Sequence, residues 1–331
     1  FLMKKIHKKL SAVVVCYNDE GNVQALYDRL SRVLQEATDD YEIIYVNDAS
    51  PDDAYGVLKG IAKRDSHVTV ITHSINSGTS NAYSSGMMQS LGDAVILLDG
   101  DLQDPPELIP KLLEQWQNGF EIVYGVRTKR EGSFSVNVLP KFFYRVFRYL
   151  SYAKIPLDAG DFSLMDRKVV DAINAMPERH RIIRGLRALV GFRHTGIEYV
   201  RPERYSGTST YNLKSYMRWA RKTIFSFSYA PLEVFFYISL FSFLLSSLLM
   251  IVYAIRLITG DGAFLSFQTV LVFLFFFGSV QLLSISVIGE YIGIIFDETK
   301  QRSRFIVKEI LNDHRQSTSP SGLIARKEQA E

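Results

Sequence analysis

The chain has 331 residues, of which 47% are hydrophobic and 22% are charged, with a mean hydropathy of +0.03. This hydropathy is high for a soluble enzyme and low for a transporter with many spans, so we expect a large soluble part and a small membrane part. The net charge of +3 gives no reason to expect a nucleic-acid partner. The single cysteine, Cys16, excludes a disulfide framework and a cysteine-based zinc site.

Residues 10 to 125 alternate short apolar runs with stretches of helical periodicity. Continuous β-branched runs are typical of strands buried on both faces, and their alternation with helices predicts an α/β fold with a mostly parallel sheet. Ligands bind beyond the carboxyl ends of the strands in such sheets, so we expect the chemistry there. The runs are SAVVV (11–15), YEIIYV (41–46), VTVI (68–71), AVILLD (94–99) and EIVYG (121–125).

Acidic clusters follow three of these runs. They are YNDE (17–20), NDAS (47–50) and DGD (99–101). Carboxylates that converge without basic partners repel each other unless a cation lies among them. Because Mg²⁺ is usually held by one or two carboxylates together with substrate phosphates, the sequence predicts Mg²⁺ or Mn²⁺ at Asp99 and Asp101.

A helix-capping role is the alternative for each of these carboxylates. Asp48 precedes SPDDA (50–54), where a helix is expected to begin, and both roles stay open for it. The pair formed by Asp99 and Asp101 ends a buried run, which favours the metal site over a cap.

Two apolar segments predict a membrane hairpin. Residues 234–255 include 22 positions without a charge, and residues 263–289 include 27. A span needs about 20 residues, and a buried core helix is the alternative. Basic residues concentrate before the first span and after the second, which predicts that the soluble domain and both termini are cytoplasmic. The basic start, FLMKKIHKKL, lacks the apolar core of a signal peptide.

Residues 141–149 and 213–227 mix aromatic and basic side chains in a helical pattern. Basic amphipathic helices of this type lie flat in a membrane interface, and an ordinary surface helix is the alternative. We expect their basic residues to face the headgroups and the phosphate of a lipid substrate. These residues are Lys141, Arg145, Arg218, Arg221 and Lys222.

Four motifs together resemble a known enzyme group. LDGDLQDPPELI (98–109), GDFSLMDR (160–167), RGLRALVGF (184–192) and RPERYSGTSTYNL (201–213) are similar to segments of the polyprenyl-phosphate glycosyltransferases. This group belongs to the family 2 glycosyltransferases, and the resemblance implies the Rossmann-like GT-A fold. It includes the dolichyl-phosphate mannose synthases and the GtrB-like bactoprenol glucosyltransferases. The two-span tail matches the bacterial branch and implies the bacterial inner membrane.

The resemblance also implies roles for individual residues. Asp101, Gln103 and Asp161 are implied at the reaction centre, where Asp161 acts as a base or as a positioning group. Asp99 and Asp101 are implied to hold the metal. The nucleotide sugar is implied to contact Tyr17, Asn18, Glu20, Asp48, Asp99, Asp101, Arg201, Arg204 and Tyr211.

One further assignment and one departure come from individual residues. Arginine can bind phosphate with two hydrogen bonds, so we add Arg127 to the residues expected to contact the leaving diphosphate, and a solvent-exposed loop position is the alternative for it. Asn47 stands where the family usually has an aspartate, which leaves the role of that position open.

The expected activity is metal-dependent, inverting transfer of a hexose to polyprenyl phosphate on the cytoplasmic leaflet. UDP-glucose with undecaprenyl phosphate is the first choice, followed by GDP-mannose and a UDP-aminoarabinose derivative. A processive transferase is less favoured because the Q-x-x-R-W motif is missing. A membrane-anchored nucleotide-binding scaffold without activity is the alternative of another class. The expected partners are the nucleotide sugar, the polyprenyl phosphate, the bilayer and further copies of the chain.

The expected domain organisation follows from these segments. Residues 1–210 form the catalytic domain, with an interfacial helix near 138–152, and residues 211–230 form a juxtamembrane amphipathic helix. Residues 231–296 hold two spans, at about 232–256 and 263–290. Residues 297–331 form a cytoplasmic tail that is partly disordered, because the end of the chain is polar.

Overall fold

The computed structural model describes residues 5–128, 159–179, 181–200, 225, 228–259 and 267–315. The chain divides into two compact units. One unit holds the described residues up to 200 together with residues 302–315. The other unit holds two long helices.

The first unit alternates strands with helices, as the apolar runs predict. A short 3₁₀ turn (Pro106–Leu108) precedes the fourth helix. The strands are β1 (Leu10–Cys16), β2 (Tyr41–Asn47), β3 (Val68–His73), β4 (Ala94–Asp99), β5 (Ile122–Thr128), β6 (Ala159–Asp166), β7 (His194–Val200) and β8 (Val307–Leu311). The helices are α1 (Glu20–Ala37), α2 (Ala54–Arg64), α3 (Thr79–Gln89), α4 (Ile109–Gln117), α5 (Arg167–Ala175) and α6 (Ile183–Leu189).

The strands form one mixed sheet in the order β7-β5-β6-β4-β1-β2-β3-β8. Strands β1 to β4 are parallel to one another where they pair, and β5 is parallel to β7. β6 and β8 run antiparallel to their neighbours. The mostly parallel α/β sheet is therefore confirmed. The sequence does not predict the two antiparallel strands, of which β6 lies inside the sheet and β8 at its edge.

Helices cover both faces of the sheet, which explains the continuous apolar runs. Val14 of β1 belongs to the same buried cluster as Leu26 and Leu30 of α1. Val13, its neighbour in β1, belongs to the cluster on the other face with Met87 of α3. Each fully buried aliphatic side chain contributes about 1.5–3 kcal/mol, so both faces stabilise the strand.

The segment after the long helices returns to the sheet. β8 pairs antiparallel with β3, and Asn312 directly after it donates its side-chain amide to the carbonyls of Ala62 (2.7 Å) and Val68 (2.9 Å). This strand lies within residues 297–331, which the sequence predicts to be a partly disordered tail, and the sequence does not predict the strand itself. An edge strand obtains its hydrogen bonds from a distant partner, so its short sequence, VKEIL, carries little local signal.

The second unit contains α7 (Ala230–Thr259) and α8 (Phe267–Thr299). Within them, Ala230–Leu249 and Phe273–Thr299 are long and apolar enough to cross a membrane, judged by length and composition. Large apolar side chains such as Phe241 and Phe275 are exposed, unlike those of a core helix in a soluble protein. Near the start of α7, the carbonyl of Ser228 accepts a hydrogen bond from the Tyr291 hydroxyl of α8 (2.7 Å).

Candidate active site

Two loops at the carboxyl edge of the sheet are hydrogen-bonded to each other. Asn18, after β1, donates its backbone N–H to the Ser50 hydroxyl (2.6 Å), and Glu20 donates its N–H to the Asp52 carboxylate (2.8 Å). In return, the Glu20 carboxylate accepts the backbone N–H of Asp53 (3.2 Å). The first turns of α1 and α2 are thereby fixed side by side.

Both loops turn sharply through residues in the left-handed region. Asn18 has φ 61° and Ala49 has φ 53°. The side-chain oxygen of Asn47 accepts the N–H of Ser50 (2.9 Å), which stabilises the second turn. The Asn47 amide oxygen therefore has a structural role in this turn. Tyr17 is 41% exposed at the rim of the site.

Asp48 is 2% exposed, and its carboxylate is held by the protein. Oδ1 lies 2.7 Å from His73 Nδ1 and accepts the N–H of Ser77 (2.9 Å), and Oδ2 accepts the N–H of Gly78 (2.8 Å). The cap position of α2 belongs to Asp53. Asp48 therefore fixes the loop after β3, and its contact with a nucleoside stays a prediction.

Asp99, at the end of β4, lies in an electronegative environment. Burial, followed by the charges of Asp104, Asp161 and Asp101, raises the pKa of its carboxyl to about 7. The Tyr83 hydroxyl donates to Oδ1 (2.7 Å) and lowers that pKa in part. A bound cation would favour the ionised form, so the environment fits a metal ligand.

A tight turn follows Asp99. Leu102 has φ 60°, and Asp101 Oδ1 accepts the N–H of Gln103 (3.1 Å). Gly100 donates its N–H to the Val15 carbonyl (2.9 Å), and a Cβ at Gly100 would lie 2.8 Å from that oxygen. A side chain at this position would push β4 away from β1.

Among the described residues, no group of three or more His, Cys, Asp or Glu side chains is arranged to hold a metal ion. The predicted site needs only Asp99 and Asp101 from the protein, because the phosphates of a donor complete the shell of Mg²⁺.

The antiparallel strand β6 brings Asp161 to this edge. β6 runs antiparallel to β4, and Ser163 pairs with Leu97. Continuing this register by two residues places Asp161 opposite Asp99, at the carboxyl end of β4. Their charges interact, since Asp161 raises the pKa of Asp99. The structure therefore brings together two carboxylates that are far apart in the sequence.

Arginines surround Asp161. Arg184 donates from Nε to Oδ1 (2.9 Å) and from Nη2 to Oδ2 (2.7 Å), and Arg187 donates from Nη2 to the carbonyl of Gly160 (3.0 Å). Burial raises the pKa of Asp161, but the charges of Arg184, Arg187 and Arg127 bring it below its ordinary value. Asp161 is thus held as a carboxylate.

Arg127 is part of a second buried network. Tyr199 donates its hydroxyl to Asp104 Oδ1 (2.6 Å) and accepts a hydrogen bond from Arg127 Nε (3.4 Å). Burial lowers the pKa of Arg127, but the charge of Asp104 raises it above the usual value for arginine. The half-buried Arg127 is thereby kept as a cation next to the strand that carries Asp161.

Arg184 and Arg187 were not assigned a role from the sequence. The available signal is the RGLR spacing, which places two arginines three residues apart on one side of α6. Only the fold shows that this side meets β6. The predicted residues Arg201, Arg204, Tyr211, Lys141, Arg145, Arg218, Arg221 and Lys222 lie outside the described residues.

The chain is similar in sequence to known glycosyltransferases. The family model described as Glycosyl transferase family 2 matches residues 11–173. An uncharacterized glycosyltransferase of Bacillus subtilis is 39% identical over 304 residues, which cover 92% of this chain and 94% of that protein. A bactoprenol glucosyl transferase of Shigella phage SfX is 36% identical over 91% of this chain and 99% of that protein. A crystal structure of glucosyl-3-phosphoglycerate synthase from Mycobacterium tuberculosis matches with a TM-score of 0.47 and 16% identity, over 66% of this chain and 78% of that one.

Proposed function

This chain belongs to the family 2 glycosyltransferases with the GT-A fold, in the polyprenyl-phosphate branch, and on that premise we propose that it transfers glucose from UDP-glucose to undecaprenyl phosphate. The choice of glucose rests on relatives whose names include bactoprenol glucosyl transferase. GDP-mannose and a UDP-aminoarabinose derivative are the alternative donors. The observation that carries the proposal is the placement of Asp99, Asp101 and Asp161 at one edge of the sheet.

Asp99 and Asp101 are proposed to hold Mg²⁺ or Mn²⁺ against the diphosphate of the donor. An ion held there would supply positive charge to the leaving phosphate oxygen. The raised pKa of Asp99 supports this role, because a buried carboxylate among other carboxylates gains most from a cation. The loop that carries Tyr17, Asn18 and Glu20 is proposed to line the nucleoside side of the cleft.

Asp161 is proposed to position the reacting groups, and Arg184 is proposed to keep it as a carboxylate. A phosphate monoester has a second pKa of about 6, so a lipid monophosphate is largely ionised at pH 7 without a base. Arg184 already occupies both carboxylate oxygens. This geometry supports a positioning role over proton removal. The oxygen of the lipid phosphate would attack the anomeric carbon and release UDP with inversion.

The two long helices are proposed to form a hairpin that keeps the enzyme at the lipid. A polyprenyl chain stays in the bilayer, whereas the sugar nucleotide stays in water, so the enzyme must act at the surface. Residues 302–315 belong to the same unit as the residues before the helices, which supports an even number of crossings. With the basic residues flanking the spans, this favours the cytoplasmic leaflet of a bacterial inner membrane.

Transfer by the purified full-length protein tests the proposal. The protein is incubated with undecaprenyl phosphate and each of the labelled UDP-glucose, GDP-mannose and UDP-aminoarabinose donors, with Mn²⁺ or with EDTA. We expect labelled lipid with UDP-glucose and none with EDTA. Activity with another donor would correct the sugar, and activity in EDTA would contradict the metal site. Metal-dependent UDP binding without any transfer would favour the scaffold function.

A further inference from the structure

A buried contact joins the segment after α8 to the end of β3. The ring of Phe305 stacks on the ring of His73, with centroids 5.2 Å apart and an interplanar angle of 8°. Next to this contact, the carbonyl of Ile306 accepts the backbone N–H of Ser74 (2.9 Å). Phe305 is 7% exposed, and the His73 side chain is fully buried. The segment after the hairpin therefore packs directly behind a loop at the ligand edge.

The contact continues from His73 to the loop itself. His73 Nδ1 lies 2.7 Å from Asp48 Oδ1, and Asp48 accepts the backbone N–H groups of Ser77 and Gly78. Gly78 has φ 85° and is the N-cap residue of α3. The position of these two residues thus depends on Asp48, and the position of Asp48 depends on the ring that Phe305 covers.

The hydrogen-bonding state of His73 argues against simple core packing. Its Nε2 atom is buried and has no hydrogen-bond partner among the described residues. Leaving a buried polar atom unpaired is costly, so packing alone would favour an apolar ring at this position. The bond to Asp48 offsets that cost. The polar contact of the His73 ring is thus the bond to Asp48, and the ring is stacked on Phe305.

We propose that Phe305 and His73 are positioning residues for the nucleotide pocket, acting through Asp48 on the loop 74–78. The inference rests on the proposed function, since it assumes that the cleft takes a nucleotide sugar. The loop follows the carboxyl end of β3, at the same edge as Tyr17–Glu20, where α/β sheets bind ligands. The segment that carries Phe305 thus supports the donor site from behind the loop, through His73 and Asp48.

Four single variants of the full-length protein separate this role from general stability. Phe305→Leu keeps the apolar volume and removes the ring, and His73→Phe keeps the ring and removes the bond to Asp48. His73→Asn keeps a donor close to Asp48. Tyr55→Phe is the matched control. It removes an exposed hydrogen bond, from the Tyr55 hydroxyl of α2 to Glu309 of β8 (2.6 Å), and leaves the contact between Phe305 and His73 unchanged.

The first readout is amide hydrogen exchange of the loop 74–78 in the absence of any ligand. We expect exchange at Ser77 and Gly78 to be at least tenfold faster in Phe305→Leu and His73→Phe. Exchange in Tyr55→Phe should match the wild type, and His73→Asn should fall between. Wild-type exchange of this loop in both Phe305→Leu and His73→Phe would overturn the inference, whatever the substrate is.

The second readout is calorimetric binding of UDP with Mn²⁺, together with transfer kinetics. We expect Phe305→Leu and His73→Phe to weaken UDP binding at least fivefold and to raise the KM for UDP-glucose, with the KM for undecaprenyl phosphate unchanged. Equal increases in both KM values would indicate a merely structural role and overturn the inference. A wild-type protein that binds neither UDP nor GDP would instead contradict the proposed function.

Discussion

Arg184 holds both carboxylate oxygens of Asp161, with Nε 2.9 Å from Oδ1 and Nη2 2.7 Å from Oδ2. Two parallel hydrogen bonds between a guanidinium and a carboxylate fix orientation as well as charge. Asp161 lies at the end of the β4–β6 ladder, close to the half-buried Asp99, where an unpaired carboxylate would tend to take up a proton. The pair therefore determines the ionisation and the direction of the carboxylate that is expected at the reaction centre.

Replacement of Asp161 by asparagine should lower kcat by roughly 100-fold or more, the range for loss of a positioned acid–base or charged group. The KM for the nucleotide sugar should change little, because other residues bind the donor. Steady-state kinetics with varied donor and acceptor measure both values. Asp171→Asn, which removes an exposed carboxylate of α5, is the control. Near-normal turnover of Asp161→Asn would rule out both roles considered for this residue.

Replacement of Arg184 by glutamine should move the acidic limb of the pH profile to higher pH. Burial raises the pKa of Asp161, and Arg184 is the first of the charges that lower it below its ordinary value. Without Arg184 that pKa rises, so Asp161 becomes protonated at a higher pH as the solution is acidified. The measurement is kcat/KM as a function of pH. Arg193→Gln is the control. The Arg193 guanidinium lies over the Phe120 ring, and its removal should leave the wild-type pH profile unchanged.

Replacement of Asp99 by asparagine should abolish most metal-dependent UDP binding. Loss of even an outer-shell partner costs about 10–100-fold in metal affinity, and loss of a ligand should cost at least as much. Titration of Mn²⁺ in the presence of UDP measures the effect. Asp39→Asn, at an exposed ion pair with Lys5, should bind normally. Unchanged Mn²⁺ affinity in Asp99→Asn would show that Asp99 does not hold the metal.

Replacement of Gly100 by alanine should lower both stability and activity, because the new Cβ would lie 2.8 Å from the Val15 carbonyl and 3.1 Å from Asp19 Oδ2. The backbone between Asp99 and Asp101 would have to shift. Gly60→Ala is the matched control, since its Cβ meets nothing within 4 Å, and it should stabilise α2 by about 0.5–1 kcal/mol. The unfolding temperatures of the two variants should therefore change in opposite directions, and turnover should fall only in Gly100→Ala. Equal unfolding temperatures and turnover of the two variants would show that a Cβ at Gly100 does not clash with the Val15 carbonyl.

Replacement of Arg218, Arg221 and Lys222 together by glutamine should impair use of the lipid more than use of the nucleotide. Each basic residue near an anionic membrane surface contributes about 1 kcal/mol. The KM for undecaprenyl phosphate in vesicles should rise, with the KM for the donor unchanged. The control is Lys59→Gln with Lys63→Gln on α2. If the triple variant affected donor and acceptor equally, or neither, these residues would not form the lipid-facing surface.

Some elements of the fold can be predicted from the sequence because their cause is local. The run SAVVV predicts β1, since a strand covered on both faces needs apolar side chains at every position. The helical spacing of Leu26 and Leu30 predicts the buried side of α1 in the same way. The order of strands and helices then places the acidic loops at one edge of a mostly parallel sheet.

Other features depend on residues that meet only after folding. Asp48 lies next to a helix start in sequence, and the sequence alone leaves its partner undetermined. The tertiary structure pairs it with His73, which lies on the neighbouring strand β3. Likewise, β8 has no independent signal, since an edge strand is stabilised by the strand beside it.

The sequence by itself determined the alternation of strands and helices, the acidic strand ends and the two apolar helices, because each follows from burial or charge within a short stretch of chain. Only the tertiary structure decided that Arg184 holds Asp161, that Asp161 lies beside Asp99 and that Phe305 covers His73. These pairings depend on strand order and register, which are set by the packing of the whole domain. No local pattern of residue types encodes them.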